Sequence, residues 1–184
     1  MTKIFIIANI LSLIGNTFFT LSSLFKNKRT ILTFQTVNFV LGTTGEVLQK
    51  AWSGFAQDFM NLVKALILLF VDESKKKIII AVNIVCIAVA FAAGTAFNII
   101  LSGGVWYGFP PVISSLILSI CVLLAFVSEM SEKKSELIIK SALILNGFAW
   151  SNYGFFVKLY PIMIFNCITI ILSVIAIIRL SRRN

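Results

Sequence analysis

Seven apolar runs, each near the length of a membrane-spanning helix and parted by short polar breaks, set what this chain can fold into. An α-helix rises about 1.5 Å per residue and a bilayer core is about 30 Å thick, so a span takes roughly 20 mostly apolar residues. The runs are Ile4–Phe25, Ile31–Leu48, Gly54–Val71, Ile78–Leu101, Phe109–Ser128, Leu137–Phe156 and Pro161–Leu180. Glu46, Asp58 and Lys64 interrupt the second and third. Composition agrees: 59% of the 184 residues are hydrophobic and 12% charged, too little charge to cover a water-soluble surface of this size. The expected fold is an all-α integral membrane protein of seven transmembrane helices. Ile4–Phe25 is expected to be a retained helix rather than a signal peptide, because only Lys3 precedes it and no small-x-small cleavage site follows before Lys26.

The breaks carry the charge. Lys26, Lys28, Arg29, Lys75, Lys76, Lys77, Lys133, Lys134, Arg179, Arg182 and Arg183 fall on one side of the zigzag, and only Lys3, Lys50 and Lys158 on the other. Basic short loops stay in the cytoplasm, which predicts an external N-terminus and a cytoplasmic C-terminus. The net charge of +9 is therefore a topology signal. With no basic face on a soluble domain, no nucleic-acid partner is expected. Trp52, Trp106, Tyr107, Trp150, Tyr153 and Tyr160 all fall in the outer half or outer loops. They read either as an interfacial belt or as an outward vestibule whose rings stack on a planar or sugar-like solute.

Layout suggests an internal repeat. Gly42 lies nineteen residues before Asn61 and Gly147 nineteen before Asn166, an offset of 105 (166 minus 61) that also lays Ile4–Leu24 over Phe109–Glu129. The chain then divides into a first three-helix repeat (1–77), a linker helix with its outer loop (78–105), and a second repeat with a basic tail (106–184). One linker helix restores the starting side, so the repeats are expected to run parallel about an axis along the membrane normal. Transporters built this way hold their site near the midplane between the halves.

This three-plus-one-plus-three layout resembles the SWEET sugar facilitators and the PnuC vitamin transporters. Lys28-Arg29 leading into Ile31–Leu41, Asn61-Leu62-Val63-Lys64, Phe109-Pro110-Pro111-Val112-Ile113, and the run from Asn146 through Trp150 and Asn166 to the basic tail resemble the bacterial YgjV family of inner-membrane proteins. The SWEET resemblance implies substrate-contacting asparagines on the third and seventh helices, at Asn61 and Asn166. The first helix lacks a proline and no Pro-Gln pair occurs, so the hinges of that family are mostly missing.

Polar groups inside lipid need a partner or a cavity. Asn61, Asn166, Lys64, Asn38, Asn146 and Trp150 are the candidate substrate-binding residues. The asparagines either bind a solute or tie helices together. Lys64, one turn inward of Asn61, either snorkels, meets a bound anion, or reaches Asn38 and Gln35 through water. Asp58 and Glu46 are expected nearer the outer surface, where hydration is cheap; the alternative for them is a proton-coupling role. Cys86, Cys121 and Cys167 lie far apart and histidine is absent, which leaves no structural zinc site and no His-based triad. No catalytic residues, metal or cofactor are expected. The partners are the bilayer and a small solute, polar or anionic; the alternative is a non-transporting scaffold, assembly or lipid-interacting protein on a transporter-like fold.

Overall fold

The computed structural model describes residues 3–22, 25, 28–72, 74–127 and 131–182. Lys26, Ser128, Glu129 and Arg183, used above for span ends and topology, lie outside them. The described chain is all-helical: α1 (Lys3–Ser22), α2 (Lys28–Leu48), α3 (Trp52–Phe70), α4 (Lys76–Ser102), α5 (Phe109–Val127), α6 (Glu132–Phe156) and α7 (Tyr160–Arg182), with a 3-10 turn at Trp106–Gly108. Several helices extend past their apolar runs to take in flanking lysines and arginines, because a helix need not stop where the hydrocarbon does. Five of them, α1, α3, α4, α5 and α7, are long and apolar enough to cross a membrane. α2 and α6 hold Glu46, Asn38 and the Glu132–Lys140 charges, which dilute their apolar character.

Short connections make successive helices antiparallel neighbours. Each packs on the next, α7 returns to α1, and α3 also touches α5. Two of the turns are copies of one another. α2 ends with Lys50 in the left-handed region (φ 56), with Lys50 N–H donating to Val47 and Ala51 N–H to Glu46. α6 ends with Lys158 (φ 59), whose N–H donates to Phe155 while Leu159 N–H donates to Gly154. The bond reaching five residues back is the Schellman closure of a helix C-terminus, here with lysine where glycine is usual. These turns lie 108 residues apart (158 minus 50). At the same spacing Asn38 precedes Asn146 by 108 residues, and Asp58 precedes Asn166 by 108.

Contacts between helices distant in sequence cap two helix starts. Ala51 offers α3 no side-chain cap, and the Gly54 N–H in its first turn donates instead to the Tyr153 hydroxyl of α6, at 3.0 Å. The Tyr160 N–H that opens α7 donates to Asn9 of α1 at 3.0 Å, and the Asn9 amide donates back to the Lys158 carbonyl. First-turn amides lack intrahelical acceptors, so α6 supplies what the start of α3 needs and α1 what the start of α7 needs. A third device closes α4. Its last turn is held by Asn98, fully buried, whose carbonyl accepts from the left-handed Gly103 and Gly104 (both φ 71) and whose amide donates to Val105.

Candidate functional site

α3 places Gln57, Asn61 and Lys64 on one face, since residues three and four apart are neighbours on a helix. That face meets α4 and α5 around a cavity of about 20 Å³, roughly the room one water needs. Cys86 of α4 and Ser115 and Ser119 of α5 complete its polar lining, and Ile87, Phe91, Val112 and Leu116 its apolar walls. Asn61 stands at the centre of α3, so the cavity sits near mid-height of that helix. It lies where α3, α4 and α5 converge.

Its polar groups are partly committed. Gln57 fills the space over Gly94 and donates to the Ala90 carbonyl at 2.8 Å. Asn61 stands one turn along α3 from Asp58. Behind Ser115, the Asn146 carbonyl oxygen accepts from both Ser114 and Ser115 hydroxyls (3.1 and 3.2 Å), and the Trp150 indole donates to Ser115 at 3.0 Å. Lys64 has no ion-pair or hydrogen-bond partner among the described residues and faces the cavity as its cation. It meets α4 and α5, not Asn38 and Gln35 on α2.

The six candidates therefore separate. Asn61 and Lys64 line the cavity, whereas Asn146 and Trp150 reach it only through Ser115. Asn38 is buried against Gly15 of α1. Asn166 turns back to the Ile162 carbonyl of its own helix at 2.8 Å, and α7 packs on α6 and α1, away from the cavity. The expected pairing of Asn61 with Asn166 around one point is thus absent, because α5 and not α7 is the partner of α3.

Two further expectations change. Glu46 is not hydrated: it is 0% exposed, wedged against Gly54 and the Tyr153 ring. Trp150 (8% exposed) and Tyr153 (1%) belong to an interior cluster with Ala8, Ala51, Leu159 and Ile162, so neither is a belt residue or a free stacking platform. Trp106, 64% exposed at the outer end, does suit an interfacial belt. Sequence reasoning missed Ser115, Ser119, Gln57 and Cys86; the spacing of Ser115 and Ser119 one turn apart on α5 was the available signal for those two, and nothing local marked Gln57 or Cys86.

Comparison of the chain with protein-family models, curated proteins and solved structures gave no match.

Proposed function

We propose that this chain is a seven-span transporter or facilitator for a small polar or anionic solute, with its N-terminus outside the bacterial inner membrane. Substrate selection is at the α3–α4–α5 cavity. The observation that carries this reading is the lysine-bearing polar cavity at the convergence of the two halves and the linker. A lysine at mid-helix costs about 2.5–3.5 kcal/mol on insertion scales. Lys64 lies roughly 9 Å from the inner end of α3, at about 1.5 Å per residue. Water or an anion in the cavity offsets that cost.

The neighbour pattern supports two parallel repeats. Exchanging α1 with α5, α2 with α6 and α3 with α7 carries the α1–α7 contact onto α5–α3. The matched lysine turns favour the same exchange. The resemblance to SWEET and PnuC architecture points the same way, with the correspondence resting on Asn38 and Asn146 rather than on Asn61 and Asn166. A second reading, a non-transporting scaffold, draws on the small size of the cavity and on Asn166 being satisfied by its own helix.

The test is uptake and binding by reconstituted protein over a panel of polar and anionic solutes. Asn61→Leu should weaken binding about tenfold or more, the loss of roughly 1.4 kcal/mol, with thermal stability retained because leucine suits a helix in lipid. Lys64→Met should abolish selection of anions over neutral solutes. Binding of no panel member, or variants that bind as wild type does, would favour the scaffold.

A further inference from the structure

α2 and α3 exchange carboxyl groups across their interface. Asp58 of α3 lies over Gly42 of α2, its Oδ2 2.9 Å from where a Cβ would stand. One turn along, Glu46 of α2 lies over Gly54 of α3. The glycines make room for the acids, and the two carboxyls come within electrostatic reach of each other. Nothing equivalent exists in the second half. In the register of the matched turns, Glu46 and Gly54 become Gly154 and Ile162, and Gly42 and Asp58 become Trp150 and Asn166.

Glu46 stands out within this pair. It is 0% exposed, and neither carboxyl oxygen has a hydrogen-bond partner among the described residues. The titratable groups that face it are Asp58 from α3 and Tyr153 from α6. The Tyr153 hydroxyl accepts from Gly54 N–H. On its other side α2 meets Ala8 and Ser12 of α1, which bring no charge. The neighbouring Gln49 amide nitrogen is also buried without a partner. A bare carboxylate in such surroundings, next to a second one, is unfavourable through both desolvation and repulsion. A cation bound between them relieves both, and the smallest cation needs no coordination shell.

We propose that Glu46 is a proton-binding site which exchanges its proton with Asp58 and, because Asp58 stands one turn from Asn61 on α3, couples proton movement to the cavity. The coupling rests on the transport reading above; the proton site itself does not. In the exchange the O–H bond of Glu46 breaks as one forms on an Asp58 oxygen, and the negative charge moves from Asp58 to Glu46. One proton is thus shared by the pair. When it resides on Asp58, the acid beside Asn61 is neutral and Lys64 is the sole charge at the cavity. When it resides on Glu46, the ionised Asp58 opposes an anion there.

The experiment is infrared spectroscopy of purified protein in lipid nanodiscs, with glutamate carboxyls labelled with carbon-13. The chain has five glutamates (Glu46, Glu73, Glu129, Glu132 and Glu136). A variant with Glu73, Glu129, Glu132 and Glu136 replaced by Gln leaves Glu46 alone and does not touch the site. In wild type and in this variant alike, a protonated-carboxyl band that shifts with the glutamate label is expected at pH 7. Glu46→Gln should remove it. A single-glutamate variant with no such band at pH 7 overturns the proposal, and so does a band that survives Glu46→Gln in otherwise wild-type protein. A band that is missing in protein stabilised by sodium over potassium would replace the proton with an alkali cation. Because no solute is added, a proton band with no transport at all would refute the coupling and the transport reading while leaving the site in place.

Discussion

The hydrogen bond from Gly54 N–H to Tyr153 offers a direct test of how the two halves are held together. Tyr153→Phe removes one oxygen and leaves the buried ring in place, so no cavity opens beyond the volume of a hydroxyl. The Gly54 amide then stands in the first turn of α3 with no acceptor, since Ala51 supplies no cap. An unsatisfied buried donor costs about 1–3 kcal/mol. For a chain of this size each kcal/mol moves the midpoint by roughly 2–4 °C. Tyr153→Phe should therefore lower Tm by about 2–12 °C, read by circular dichroism of the protein in nanodiscs. Tyr107→Phe is the control, because the Tyr107 hydroxyl makes no hydrogen bond to described residues, and it should stay within about 1 °C of wild type. A Tyr153→Phe protein that melts with wild type would refute the claim that α6 caps α3.

Asn98→Ala should also destabilise, by about 1–3 kcal/mol, since it leaves the Val105 carbonyl without its donor at a turn otherwise closed by backbone alone; thermal unfolding reads it. Reporter fusions at Gly104 should score external and those at Arg183 cytoplasmic, and the reverse pattern would overturn the orientation drawn from the lysine and arginine asymmetry.

How much of this was legible in the sequence depends on the range of the interaction. Helices were, because apolar runs and charged breaks are local. Lys50 and Lys158 also sit where the short outer turns were expected, although nothing local announced their left-handed backbone. The offset of 105 read from Gly42 and Gly147 differs from the 108 residues that separate the Lys50 and Lys158 turns. Glycine recurs too often in apolar helices to fix a register, and α6 is longer than α2 (25 against 21 residues), so one offset cannot serve both ends of the pair. Glu46 was misplaced for a different reason. Its burial comes from Tyr153, on a helix far along the chain, and from Gly54, whose missing side chain is what admits the carboxyl. Lys64 was recognised as costly, yet its direction depended on whether α3 turned that face to α2 or to α4 and α5. Only packing decides that.

The central claim is that a solute path runs through the α3–α4–α5 cavity, and Cys86 is a native probe in its wall. With Cys121→Ala and Cys167→Ala, Cys86 becomes the sole thiol of the chain. Reconstituted in vesicles of known orientation, it can be challenged with a small, charged, membrane-impermeant thiol reagent from either face. Alternate opening of the two halves predicts that Cys86 is modified from outside and, in a separate sample, from inside. Lys64→Met should slow modification by an anionic reagent and not by a cationic one. A thiol that reacts fully after denaturation but from neither face of the folded protein would mean that the cavity never opens to water, contradicting the account.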